Sequence, residues 1–434
     1  VHTQTDHINR AYPIASIGHA AWILRHYGYK AVFIWGLSLY AVGALVCIPA
    51  IKAKSFGGFC AGIFVIGNGL GSLETAANPF ITGTSLFLNL TVASANTYSS
   101  MRSTQVLRNS HQLVAGLQWY ENQSSVLLGQ SLTFTGIGSV IAPVLGSYVL
   151  FTFDDQAAID NVQWIYLAIA VFVILLAILF LLVKIPEITD ADMAFQAQET
   201  NNTADQKPFY KQFKLFHASF AQFCYCGSQV AIASFFINYA VATRPGTDDP
   251  TAARLFAGAQ AAFAVGRFVG VGFMKFVKPR IMFLVFLTGV IVFTCPSITQ
   301  KDNIGISMLY VVLFFESICF PTIVALGMRG LGRHTKRGSG YIIGAVIGGA
   351  CVPPLTGVAA DSHGNGIAMV VPLCFFLGSW SYALCCNFVP NYVTVIDSFH
   401  ETDIGLHGRQ NDLNSSDLET RMSVEEKAAV TIAP

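Results

Sequence analysis

Charge is what this sequence has least of. Only 11% of its 434 residues are Asp, Glu, Lys or Arg, against about 25% in an ordinary soluble domain. That is too little charge to coat a globule in water. The 25 basic and 24 acidic residues nearly cancel, leaving a formal net charge of +1, so there is no basic stripe for a nucleic acid. No P-loop pattern is present, which leaves ATP-driven pumping unsupported. The 10 histidines are scattered, with no His-Glu-x-x-His, and no nucleophile–base constellation appears. An enzyme is therefore not expected, and neither is a cofactor or a metal. The 10 cysteines lie almost wholly in apolar runs, and Cys224-Tyr-Cys226 and Cys385-Cys386 lack a second pair at zinc spacing. They read as small hydrophobes between helices. Residues 1–12 are polar, and no cleavable signal pattern is visible.

What is abundant is apolar sequence: 53% hydrophobic residues, with a mean hydropathy of +0.54. A hydrocarbon core of about 30 Å needs roughly 20 apolar residues per helix. Candidate spans lie at about 11–25, 31–51, 56–81, 126–152, 163–184, 214–242, 253–276, 281–299, 304–327, 340–360 and 367–390. Loops carrying Arg25 and Lys30, Arg102 and Arg108, Lys207 to Lys214, Lys275 to Arg280, and Arg329 to Arg337 alternate with acidic or mixed ones. The basic set is expected in the cytoplasm, with Lys52 and Lys54 as an exception. The expected fold is all-α integral membrane, in two helical bundles.

Residues 1–185 are expected to form an N-terminal bundle, 186–213 a polar cytoplasmic linker, 214–392 a six-helix C-terminal bundle, and 393–434 a solvated, flexible cytoplasmic tail. Five spans precede the linker and six follow it. A cytoplasmic C-terminus after eleven spans would put Val1 outside, so one further span before residue 1 is expected. Residues 83–125, rich in Ser, Thr, Asn and Gln, read as an irregular cytoplasmic insert. Four Asn-x-Ser/Thr sites fall on the cytoplasmic side of this topology and are expected to be unused.

The central stretch is Gly67-Asn-Gly-Leu-Gly71-Ser-Leu-Glu74-Thr-Ala-Ala-Asn78-Pro79-Phe80. A lone acid in a span is costly and points to function; Glu74 is expected near the bilayer midplane. A carboxyl in low dielectric can hold a proton near neutral pH, and it can accept hydrogen bonds from sugar hydroxyls. The alternative is a structural acid beside a basic neighbour. Glu316, in Phe-Phe-Glu316-Ser-Ile-Cys-Phe-Pro321, is a second buried acid on a helix that proline should break. Arg267 is a possible partner, with a structural or gating role. Gln130, Gln229 and Asn238 present amides suited to hydroxyls or, equally, to helix–helix bonding. Trp22, Phe134, Phe235 and Phe236 offer rings for stacking or packing. The Gly-x-Gly clusters follow no strand, so they read as close helix crossings and not as a dinucleotide site.

Gly71-Ser-Leu-Glu74-Thr-Ala-Ala-Asn78-Pro79-Phe80 resembles the signature of the fucose permease-like sugar transporters of the major facilitator superfamily. Trp22-Ile-Leu-Arg25-His-Tyr-Gly28-Tyr-Lys30 is similar to the basic loop after that family's second span. Gly227-Ser-Gln229 through Asn238-Tyr239, Phe315-Glu316 through Pro321, and Gly340 through Asp361 are similar to its seventh, tenth and eleventh spans. The style resembles fungal members. The resemblance implies a major facilitator fold with about 11 of the usual 12 spans. It implies proton-coupled uptake of a monosaccharide, L-fucose or a related hexose, by alternating access. It makes Glu74 the acid of sugar binding and proton coupling and Gln130 a binding-site glutamine of the fifth span. From the residues themselves, Asn78, Gln229 and Asn238 are expected at the substrate too, and Arg25, Arg267 and Glu316 in gating or structural roles. A monomer in the plasma membrane is expected, with sugar, proton and lipid as partners and no nucleic acid.

Two departures from the pattern stand out. The acid that the family carries in its first span is not in this chain. The family's short Gly-Pro-Pro loop between spans four and five is absent, with Leu127 where an asparagine is expected. A non-transporting sugar sensor, or an inactive truncated transporter, is the alternative reading.

Overall fold

Long apolar runs broken by short charged loops give helices, and helices are what the chain forms. The computed structural model describes residues 18–100, 155–183, 208–274, 276–331 and 334–401. The helices are α1 (Ala21–Lys52), α2 (Phe56–Ser100), α3 (Asp155–Leu182), α4 (Phe213–Thr243), α5 (Asp249–Met274), α6 (Pro279–Thr299), α7 (Asp302–Glu316), α8 (Cys319–Met328), α9 (Thr335–Gly344), α10 (Gly348–His363), α11 (Asn365–Ala368), α12 (Val370–Phe388) and α13 (Pro390–Glu401). Among the described residues 9 helical segments are long and apolar enough to cross a membrane. The first of them, Gly18–Lys52, joins two of the expected spans. Gly28 kinks it at φ 79°, ψ −175°, a left-handed conformation that glycine tolerates and a side chain resists. The expected span at 126–152 lies outside the described residues.

The first bundle packs α1, α2 and α3 through close crossings. The position a Gly36 Cβ would occupy lies 2.9 Å from the Gly69 carbonyl, and that of Gly43 lies 2.8 Å from the Gly62 carbonyl. Any side chain there would force the helices apart, which accounts for glycine at 36, 43, 62 and 69. The second bundle holds six spans from Phe213 to Phe388 around one apolar core that includes Tyr225, Phe236, Phe283, Leu309, Ile323 and Phe376. One end of the molecule carries Arg25, Lys30, Lys211, Lys214, Lys278, Arg280, Arg329, Lys336 and Arg337, and is called the basic end below.

Two expected boundaries change. Residues 83–100 continue α2 as helix, where an irregular segment is expected; 101–125 lie outside the described residues. Leu86, Leu88, Leu90, Ala93 and Ala95 supply helix formers among the Ser and Thr. The start of the expected flexible tail is the helix α13, held against the basic end. Its Tyr392 and Ile396, one turn apart, are buried. Asp397 takes hydrogen bonds from Lys278 Nζ and Arg280 Nε, both at 3.0 Å. Arg329 reaches the Ile396 carbonyl at 3.1 Å, and Lys214 reaches that of Asn391. A short stripe of apolar side chains with an acid beside it suffices to dock a helix on a cationic rim. Residues 402–434 lie outside the described part.

Candidate functional site: an acid on the seam between bundles

The two bundles meet where α9 packs against α2 and α1, with α8 also against α2. Ser339 Oγ donates to the Thr75 carbonyl at 2.9 Å, and both residues are fully buried. Sequence explains why that carbonyl is open to a partner. In an uninterrupted helix it would accept the N–H four residues on, but position 79 is proline and has none. Nearby, the Lys336 ammonium lies 5.5 Å from the centre of the buried Tyr29 ring. These contacts close the seam at its basic end.

Glu74 immediately precedes this contact. It is half-buried, and its Oε2 is sealed from solvent. It lies within electrostatic reach of Cys226 on α4, in the other bundle. The Tyr29 and Phe80 rings pack together near the basic end of the molecule, with centroids 5.3 Å apart. Glu74 is a turn and a half further in, about 9 Å by helix rise. Its backbone therefore lies inward of the basic end. Side chains on a helix lean toward its N-terminus, so the carboxyl points inward from there. Its neighbours bond mainly to their own helix: Asn68 Nδ2 to the Phe64 carbonyl at 3.0 Å, Ser72 Oγ to that of Asn68 at 2.8 Å, and Thr75 Oγ1 to that of Gly71 at 2.7 Å. Ser72 is also joined to His19 Nε2 at 3.1 Å.

The other expected residues divide into groups. Gln229 is half-buried on α4, about one turn beyond Cys226. Asn238 is exposed near the far end of α4, about 18 Å along the helix from Cys226. There its carbonyl accepts from Asn365 Nδ2 at 3.1 Å, so it is not gathered with Glu74. The backbone of Asn78 is helical, and its side chain lies outside the description, as does Gln130 altogether. Arg25 is exposed on the basic end and Trp22 is 54% exposed, whereas Phe235 and Phe236 are packed in the core.

Glu316 and Arg267 are brought together, but around a helix break. Pro321 cannot donate to the Ser317 carbonyl, and Arg267 Nε donates to it instead, at 3.0 Å. Tyr225 Oη donates to the Glu316 carbonyl at 2.6 Å. The Glu316 carboxyl is 1% exposed, and its Oε1 has no hydrogen-bond partner among the described residues. Both residues thus lie at the junction of α7 and α8.

Sequence reasoning passed over Gln222. It is fully buried on α4, one turn before Cys226, and its Nε2 donates to Cys226 Sγ at 3.5 Å. Its spacing from Gln229, two turns of helix, was the available signal.

Two packed bundles of membrane-length helices, joined across a seam by the Ser339–Thr75 hydrogen bond with an acid beside it, define a polytopic membrane protein of the two-bundle transporter class. The chain matches the Major Facilitator Superfamily model over residues 117–353. It is 31% identical over 360 residues to the L-fucose-proton symporter of Escherichia coli strain K12, covering 82% of this chain and 78% of that protein. It is 27% identical over 370 residues to the glucose/galactose transporter of Brucella abortus, covering 84% and 79%. Among solved structures it is similar to the Major Facilitator Superfamily transporter FucP in the outward conformation, with a TM-score of 0.67, 28% identity and 88% of each chain covered. The chain belongs to the Major Facilitator Superfamily, with the fucose permease-like sugar:proton symporters as its relatives.

Proposed function

We propose that this protein carries a monosaccharide, L-fucose or a related hexose, into the cell together with a proton, by alternating access between its two bundles. One observation carries the reading: Glu74 immediately precedes Thr75, whose carbonyl takes the hydrogen bond from Ser339 of the opposite bundle. A group there feels every rocking movement of one bundle against the other. A carboxyl can hold a proton in one state and release it in the other, and a sugar hydroxyl can take the same place as a hydrogen-bond partner. Coupling requires that proton and sugar each differ in affinity between the two states.

In this reading the basic end faces the cytoplasm, following the distribution of Lys and Arg. The described conformation is then closed inward, the state that loads from outside. Glu74 accepts sugar hydroxyls and carries the proton. Gln229 lies on the same path, and Asn78 and Gln130 complete the polar set, with Asn238 apart from it near the far end of α4. Arg267 and Glu316 hold the broken span that must move, and Arg25 sits at the inner gate. The protein works as a monomer in the plasma membrane.

The test is transport in proteoliposomes with a panel of labelled sugars. Glu74→Gln is expected to abolish accumulation driven by a pH gradient while leaving sugar exchange at equal pH. Undiminished pH-driven accumulation in that variant would sink the coupling assignment. No counterflow with any sugar in the unmodified protein would sink the substrate class.

A further inference from the structure

We propose that Glu316 is a proton site read from the basic side alone. Its carboxyl keeps a proton while the basic end is closed and gives it to water there when that end opens. The inference rests on the alternating-access reading above and adds to it a residue and a control by pH.

The helix break does not need this carboxyl. Each backbone carbonyl from Phe314 to Ile318 has a side-chain donor. Ser317 Oγ donates to that of Phe314 at 2.7 Å, and Cys319 Sγ to that of Phe315 at 3.5 Å. Tyr225 Oη donates to that of Glu316 at 2.6 Å, Arg267 Nε to that of Ser317 at 3.0 Å, and Thr322 Oγ1 to that of Ile318 at 2.7 Å. The Glu316 side chain serves none of them. It is 1% exposed, and its Oε1 is enclosed with no hydrogen-bond partner among the described residues. An ionised carboxyl in such a place is costly, so the group is held neutral in this conformation. Glutamine would fill the same space. What the acid has and the amide lacks is a proton it can release.

The break also says where that proton goes. By helix rise Glu316 lies about 20 Å from Asp302 at one end of its span and about 18 Å from Met328 at the other, near the middle. The half between Glu316 and the basic end, α8, packs against α2 of the first bundle. The other half, α7, packs against α4, α5 and α6 of its own bundle. When the bundles part at the basic end, α8 loses its neighbour and α7 keeps its own. The movement falls on the junction between them, where proline interrupts the helical ladder, and uncovers Glu316 from the basic side. While that end is closed the carboxyl is sealed, so it does not exchange with the far side.

The titratable or charged side chains at the junction, among the described residues, are Tyr225 from α4 with Cys226 beside it, Arg267 from α5 and Cys319 from α8. From α6 come the Phe286 and Phe293 rings, packed on Phe315. None of these is a second acid. Once water enters, the O–H bond of Glu316 breaks, water carries the proton out through the basic end, and the carboxylate stays near the Arg267 cation. Closing takes a proton back from the same side. No proton crosses the membrane on Glu316. Because the closed state binds one proton more than the open state, low pH on the basic side favours closing and high pH favours opening.

The experiment reads the open-to-closed ratio without sugar, from spin labels at positions 25 and 337, both exposed on the basic end, in a cysteine-free background. Glu74→Gln is present throughout, so that Glu74 does not titrate. The ratio is expected to rise between about pH 6 and 9, by at most about tenfold per pH unit, the limit for one released proton. Glu316→Gln is expected to hold the ratio within about twofold across that range. Glu316→Asp, which keeps the acid, is expected to retain the rise. A rise that survives Glu316→Gln, or no rise with Glu316 in place, would overturn the proposal. If Glu316→Gln gives no folded protein, infrared spectra of the Glu74→Gln protein decide. They are expected to show the stretch of a protonated carboxyl at neutral pH, and its absence would overturn the proposal too. Neither measurement uses a sugar. Absence of counterflow with any sugar in the unmodified protein therefore sinks the substrate assignment alone, and a flat pH response sinks the Glu316 site alone.

Discussion

Ser339 of the second bundle donates its hydroxyl to the backbone carbonyl of Thr75 in the first, and that carbonyl is available because Pro79 cannot use it. The bond ties the bundles together at the basic end. A buried neutral hydrogen bond contributes about 0.5–1.5 kcal/mol, enough to shift a two-state equilibrium up to roughly tenfold. Ser339→Ala is therefore expected to favour the state open at the basic end. Pro79→Ala should act in the same direction, because the restored N–H would draw the Thr75 carbonyl back into its own helix. Spin labels on the exposed positions 25 and 337, in a cysteine-free background, would show more of the longer distance in both variants. An unchanged distance distribution in both would mean that this bond does not hold the seam.

The same device recurs inside the second bundle. Pro321 frees the Ser317 carbonyl, and Arg267 takes it at 3.0 Å. Arg267→Met is expected to cost about 1–3 kcal/mol, the price of a buried carbonyl left unsatisfied. Pro321→Ala restores an N–H within that helix, so the double variant should recover part of the loss. Thermal midpoints of the four proteins in detergent form a double-mutant cycle. Strictly additive effects would show that Arg267 serves some other group.

Much of this architecture is legible in the sequence, for a physical reason. A bilayer imposes span length and excludes charge, so apolar runs and a lone Glu74 stand out without any knowledge of contacts. The break at Pro321 and the glycine crossings are legible too, since each follows from one residue's covalent chemistry. What sequence hides is long-range partnership. Arg267 reads as a possible partner for Glu316, and the position of its hydrogen bond to the neighbouring Ser317 carbonyl is not visible in the sequence. Pro390–Glu401 reads as the start of a polar tail because Asp397's partners, Lys278 and Arg280, are more than a hundred residues away. Gln222, between Ala221 and Phe223, reads like any buried amide joining helices; only its idle oxygen distinguishes it.

Close approach gives a third expectation. A Cβ on Gly348 would run into the backbone carbonyl of Phe223, and one on Gly266 into that of Phe314. Backbone cannot yield as a flexible side chain can. Gly348→Val and Gly266→Val should each push two spans apart, with overpacking costs of about 1–3 kcal/mol or more. Gly272→Val is the control, since nothing lies within 4 Å of its Cβ position. Folded yield by gel filtration should fall for the first two and hold for the third. Equal yields would contradict the packing described.

The docking of α13 carries a pH dependence whose sign is fixed by Asp397. Partial burial pushes its carboxyl up, but hydrogen bonds from Lys278 and Arg280 and their charges outweigh that, so it lies below its ordinary value. A carboxyl depressed in the folded state stabilises fully above its unfolded value, about 3.9, and loses that contribution as pH falls through the lower folded value. The Asp397 contribution should therefore be constant from neutral pH down to about 5 and disappear in the acid range below 4. Lys278 is about half exposed, so solvent screening limits its share, and the three-residue cluster is worth about 1 kcal/mol. Asp397→Asn should lower the thermal midpoint at neutral pH, and its curve should meet that of the unmodified protein in acid. Proteolysis at the α12–α13 junction should speed up in the variant at neutral pH while the transmembrane core stays intact. A constant gap between the two curves down to the lowest measurable pH would show that the Asp397 charge is not what holds the helix.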